Sequence, residues 1–225
     1  MAVNEEKYKE ILKELEPQNA QLIAVSKMQS VEDIKKLYKL GQRDFGENYV
    51  QELVEKQPQL PADIRWHFIG HLQTNKVKYI ASFVHLIQGV DSLKLLNEIN
   101  RQAKKINKTI YCLLQVHIAQ EETKFGLDEN ELSDIMNILQ SNTSQLSNVF
   151  IEGLMGMASF SDDINKVRNE MKDLKTLFLK YHAMSTVNCQ LSTLSMGMSG
   201  DYKTAIQEGS NMVRIGSLLF GARHR

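Results

Sequence analysis

Apolar positions along this chain keep two alternating rhythms. Residues 4 to 15 place Tyr8, Ile11, Leu12 and Leu15 at helical spacing, and Pro17 ends the run, which predicts an opening helix. Thereafter short apolar runs, partly β-branched, alternate with amphipathic stretches of helical period. The short runs are LIAVS (22–26), RDFG (43–46), RWHFIG (65–70), FVHLIQGV (83–90), IYCLLQVHI (110–118), VFIEGLMGM (149–157), QLSTLSMG (190–197) and MVRIG (212–216). Helices are predicted over 31–40, 47–56, 73–80, 92–106, 128–140, 162–181 and 201–208.

Strands that alternate with helices must pair in parallel through right-handed crossovers, because a tight hairpin cannot join parallel neighbours. Eight such strands close most naturally into a barrel. The competing architecture, an open doubly wound sheet, would favour a GxGxxG turn after the first strand, and none is present. No Pro/Gly/Ser linker or charge block interrupts the pattern. The expected fold is α/β, a single (β/α)8 barrel of the TIM type with an extra N-terminal helix, in one domain over residues 1–225.

Composition narrows the partner. Of 225 residues, 42% are hydrophobic and 24% charged, as in ordinary soluble domains. Lys plus Arg and Asp plus Glu are both 27, so no net field gathers nucleic acid or an anionic membrane, and a small-molecule partner is expected. Cys112 and Cys189 have neither zinc-ligand nor disulfide-framework spacing and read as buried thiols in a reducing compartment. The first residues are amphipathic rather than leader-like, and no apolar run is long enough to span a bilayer. The expected location is cytoplasmic. No histidine pair has metal-ligand spacing, so no metal is expected.

Barrel sites are built where strands end at the C-terminal face. Lys27 stands directly after the first strand. A lysine there can snorkel to water, or, desolvated, attack a carbonyl and form a Schiff base. After the last strand, Gly216 permits close backbone approach and Ser217 offers an amide and a hydroxyl, a composition suited to a phosphate monoester. Ser195 and Gly197, at the preceding strand end, face the same corner. Arg214 alternates with Val213 and Ile215, and points either into the barrel toward an anion or out toward a helix. His67 lies inside a strand and reads as a core imidazole, whereas His71 follows a strand end. The Met-rich stretch GLMGMASF reads as packing at the barrel mouth.

The stretches AVSK, FGENYVQE, WHFIGHLQTNK, KFGL, GLMGM, LSMGMSGD and VRIGSLLFGAR together resemble the pyridoxal phosphate homeostasis protein family, a single-domain relative of the alanine racemase N-terminal barrel. The likeness runs from about residue 22 to 223. It implies pyridoxal 5'-phosphate held covalently on Lys27 as an aldimine, its phosphate among Ser195, Gly216 and Ser217, Arg214 at the pyridine nitrogen and Asn48 lining the pocket. It implies a carrier or buffer in intracellular cofactor homeostasis, with apo-forms of cofactor-dependent enzymes as partners and no strong catalysis. Met28 replaces an expected threonine, and His117 an expected asparagine.

Two alternatives use the same residues. An amino-acid racemase would need an opposing base, which alanine racemase takes from a second domain, and the chain leaves no room for one after Arg225. A lyase of aldolase type would use Lys27 directly on a sugar phosphate, without a coenzyme. With the racemase dimer contacts gone, a monomer is expected. Lys124, beside Glu121 and Glu122, is a further candidate for transient cofactor contact during transfer.

Overall fold

Polar residues start the helices where the apolar period begins. Ser30 caps α2 (Val31–Lys39), Ser92 caps α5 (Leu93–Lys105) and Asp163 caps α7 (Ile164–His182), each side chain accepting from a backbone N–H of the first turn. Asp128 and Glu131 form a reciprocal capping box on α6 (Glu129–Gln140). The computed structural model describes residues 3–119, 121, 125–141 and 144–221; Glu122 and Lys124 lie outside them.

The remaining helices are α1 (Glu5–Leu15), α3 (Val50–Lys56), α4 (Val77–Ile80), α8 (Tyr202–Gln207) and α9 (Ser217–Phe220). The strands are β1 (Gln21–Val25), β2 (Asp44–Glu47), β3 (Arg65–Phe68), β4 (Leu86–Val90), β5 (Ile110–Val116), β6 (Val149–Gly156), β7 (Ser185–Thr186), β8 (Cys189–Met198) and β9 (Met212–Ile215). Parallel pairing runs from β1 through β6, then from β6 to β8, β8 to β9 and β9 back to β1. This is a closed eight-stranded parallel barrel, the expected (β/α)8 architecture with its extra helix α1. The short β7 lies outside it, antiparallel to the start of β8.

Differences from the sequence reading are local. The predicted helix 47–56 begins only at Val50, because Glu47 is fully buried and completes β2. The predicted 73–80 helix opens as a 3-10 turn at Thr74–Lys76. In FVHLIQGV only Leu86–Val90 is strand. β7 and α9 have no strong local pattern and were not expected.

Two apolar layers hold the barrel. Outside the strands, Phe45, Trp66, Phe68, Leu114, Leu154, Val213 and Ile215 pack under the helices. Withdrawing such a side chain from water contributes roughly 1.5–3 kcal/mol, so this annulus carries most of the hydrophobic stabilisation. Inside, Ile23, Leu86, Leu113, Met155 and Met212 form a separate cluster with Met157 packed against it. Strand alternation then settles the facing of Arg214. Met212 is interior, while Val213 and Ile215 belong to the outer layer, so Arg214 points inward. Both cysteines are buried, and burial pushes their thiols up, to about 12 for Cys189.

At the N-terminal end of the barrel, Arg65 Nε donates to Asp44 Oδ1 at 2.7 Å and His67 Nε2 approaches the same oxygen at 3.0 Å. Burial raises the Asp44 carboxyl, but hydrogen bonds from His67 and Arg65 outweigh it and hold the group well below the usual carboxylate range. A carboxyl depressed in the folded state contributes stability above its unfolded value of about 3.9 and loses it as pH falls toward the folded value. Asp44→Asn is expected to cost about 2 kcal/mol at neutral pH, below the range for a fully buried pair because Arg65 keeps access to water. Urea denaturation from pH 7 downward should show that difference shrinking below about pH 4.

Candidate functional site

A cavity of about 520 Å³ opens where the strands end, with Lys27, Asn48, Arg214, Gly216 and Ser217 all in its wall. Lys27 is half-buried just beyond β1. Its turn is held from beneath by charges that the sequence pattern does not single out. Lys56 Nζ donates to the carbonyl of Ser26 at 2.8 Å, to Glu47 at 2.9 Å and to Glu52 at 2.8 Å. Ser26 Oγ donates to Glu47 at 2.6 Å, and the Met28 N–H donates to Glu52. These contacts hold Met28 at φ 60°, a left-handed conformation that a side chain adopts only under constraint. Burial raises the Glu47 carboxyl, against the lowering pull of Lys56 and Ser26. The one local signal for this cluster is the one-turn spacing of Glu52 and Lys56.

Arg214 is 4% exposed. Its Nη1 donates to Ser195 Oγ at 2.6 Å and its Nη2 to the Gly156 carbonyl at 2.9 Å. Both acceptors are neutral, and among the described residues no carboxylate forms an ion pair with it. Burial pushes its pKa down to about 10, with Asp201 pulling the other way, so it remains charged at neutral pH. A buried guanidinium with neutral partners only is half of an interaction, and the missing acceptor belongs on the cavity side.

Ser195 is fully buried and is absent from the cavity wall. The structure moves it from the phosphate corner to the support of Arg214, one layer deeper, because its strand position faces the interior below the mouth. Gly197 is likewise no part of the cavity wall: at φ 95°, a Cβ there would stand 2.5 Å from that of Ala205 on α8. The serine of this strand end that does reach the cavity is Ser199, whose hydroxyl accepts the Gly216 N–H at 3.2 Å. A Cβ at Gly216 would press on the Val25 carbonyl at 3.2 Å, so the backbone there is close-packed beside the cavity.

Met157 lines the cavity, as the Met-rich stretch suggested, and Met155 packs beneath it. The loop after β6 is pinned by Glu170, which accepts from the Ser159 amide and hydroxyl, each at 2.6 Å. His117 and His71 lie outside the cavity wall. His117 Nε2 stands 3.0 Å from the Glu121 carbonyl, and His71 pairs with Asp91 at 2.7 Å while stacking on Phe125.

The residues fit an anionic, ring-bearing aldehyde. Lys27 offers an amine, the turn at Gly216 and Ser217 offers small donors, and Arg214 hydrogen-bonds only neutral acceptors among the described residues. Asn48 Oδ1, buried and without a hydrogen-bond partner, waits for a donor.

The chain is similar to known proteins over most of its length. The family model for the alanine racemase N-terminal domain matches residues 4–224. A pyridoxal phosphate homeostasis protein of Pasteurella multocida is 39% identical over 213 residues, covering 92% of this chain and 88% of that protein. One of Aquifex aeolicus is 40% identical over 205 residues, covering 91% and 87%. Among solved structures, PipY of Synechococcus elongatus with PLP bound is similar at a TM-score of 0.85 and 33% identity, covering 96% of this chain and 99% of that one.

The cluster under Lys27 yields a stability test. Lys56→Met would leave the Glu47 carboxylate buried without its cation, a loss of about 3–5 kcal/mol in urea denaturation. The double variant Glu47→Gln/Lys56→Met should recover most of that loss.

Proposed function

Since the chain belongs to the pyridoxal phosphate homeostasis protein family, we propose that it binds pyridoxal 5'-phosphate covalently through Lys27 and serves as an intracellular carrier or buffer of that cofactor. The observation that carries this reading is the placing of Lys27, just beyond β1, and Arg214, on the adjacent strand β9, in one cavity wall. When bound, the cofactor supplies a reactive aldehyde and an electron-withdrawing ring. Lys27 would provide the nucleophilic amine, Gly216, Ser217 and Ser199 would hold the phosphate, and Asn48 Oδ1 would accept a hydrogen bond from the bound group.

Arg214 meets the ring nitrogen as a donor that keeps its proton. A guanidinium so far above neutrality in pKa hydrogen-bonds an acceptor without protonating it, which favours storage of the cofactor over strong carbanion chemistry. Besides Lys27 and Arg214 the wall carries the carboxylates Asp162 and Asp201, and Asp201 is engaged by the Met198 amide at 2.6 Å. The proposed protein is a cytoplasmic monomer, and its partners are the cofactor and apo-forms of enzymes that use it. Among the described residues no helix is long and apolar enough to cross a membrane.

Purified protein should show a visible absorption band from the lysine-linked cofactor, and borohydride should fix an adduct on the Lys27 peptide. Lys27→Ala should lose both. Protein that stays colourless with added cofactor would favour the lyase reading instead. In deuterated water, amino-acid α-proton exchange should run no faster than with the free cofactor; substantially faster exchange would favour the racemase.

A further inference from the structure

Arg214 is the upper end of a line of buried side chains that descends through the barrel interior. Below it, Ser195 Oγ stands 2.7 Å from Gln88 Oε1, Gln88 Nε2 stands 3.1 Å from His67 Nδ1, and His67 Nε2 stands 3.0 Å from Asp44 Oδ1. Strands β9, β8, β4, β3 and β2 each contribute one member, and Ser195, Gln88 and His67 are at most 1% exposed.

The two ends dictate the direction of every bond between them. Arginine can only donate and a carboxylate can only accept. Ser195 Oγ therefore accepts from Arg214, and its single hydrogen goes to Gln88 Oε1. That turns the Gln88 amino group toward His67, so Nδ1 accepts and the imidazole hydrogen sits on Nε2, donated to Asp44. Burial lowers the His67 pKa against the pull of Asp44, in keeping with a neutral ring of that tautomer. Flipping the Gln88 amide would set two acceptors against each other at His67.

An apolar side chain at residue 88 would pack well enough, as Leu86, Leu113 and Met155 do beside it. What the amide adds is direction. We propose that Gln88 is a positioning residue for the cofactor's ring nitrogen: by engaging the Ser195 hydrogen it presents the Ser195 lone pairs to Arg214, and so aims the guanidinium across the cavity. This inference rests on the cofactor reading above. Without the Gln88 acceptor, the Ser195 hydroxyl is free to turn its hydrogen elsewhere, and Arg214 loses the fixed partner that sets its orientation.

The test uses the full-length protein loaded with pyridoxal phosphate carrying ¹⁵N in the ring, whose nitrogen resonance reports the hydrogen bond it receives. Arg214→Met defines the signal without the guanidinium. Gln88→Met is expected to move the wild-type signal more than half-way toward that position. Gln88→Glu, whose carboxyl in its protonated form both accepts from Ser195 and donates to His67 Nδ1, is expected to hold it near wild type. Ser195→Ala, which deletes one buried oxygen, should move the signal as Gln88→Met does, and combining the two should add nothing further. This variant keeps the test decisive if Gln88→Met does not fold. A wild-type-like signal in Gln88→Met or Ser195→Ala, while Arg214→Met is displaced, overturns the inference, as does a Gln88→Glu displacement as large as that of Gln88→Met. Wild-type protein that gives no bound signal at all instead overturns the cofactor reading.

Discussion

A guanidinium enclosed by protein must stay hydrogen-bonded, and the hydrogen bonds of Arg214 go to neutral acceptors, Ser195 and the Gly156 carbonyl. Much else in the barrel can be understood as the accommodation of that charge. Neutral acceptors satisfy its inner face, the serine under it is oriented by an amide, and its outer face opens on a cavity. Burying a lone cation would be prohibitive if nothing ever completed it. The arrangement is stable because it is unfinished only in the direction from which a ligand arrives.

A second charge cluster does the corresponding work under Lys27. The buried ammonium of Lys56 ties the end of β1 to β2 and α3, so Lys27 hangs from a turn with little freedom. The two clusters differ in kind. Under Lys27 one ammonium is shared by two carboxylates and braces a backbone; along the line from Arg214 to Asp44 the charges stand at opposite ends and set a direction for what lies between.

Much of this architecture is legible in the amino-acid pattern, for a physical reason. Strands buried between an outer helical layer and a filled interior read as short apolar runs, and capped amphipathic helices read as period-3.6 stretches with Ser or Asp in front. Lys27, Asn48, Arg214, Gly216 and Ser217 were visible because they follow or end such runs, and all meet in one cavity. The facing of Arg214 was not legible, since alternation gives two faces and only the packing of Met212 and Val213 tells them apart. Ser195 was misplaced for a related reason: depth along a barrel depends on stagger between strands, here irregular between β8 and β9. The roles of Gln88 and Glu47 are not legible because their Ser195 and Ser26 partners are 107 and 21 residues away in sequence, and for Lys56 only the one-turn spacing to Glu52 is local.

The seam between β1 and β9 has one more consequence. Ile23 is in register with Arg214 there, and Lys27 follows a few residues on. The amine and the guanidinium are thus contributed by the first and last strands of the barrel, which become neighbours only when the ring of strands shuts. Contacts of such sequence separation form late and at high entropic cost. A chain emerging from the ribosome would have its lysine from early on yet possess no binding site until the final strand arrived. Any ligand that touches both strands would act as a clasp on the last-made joint.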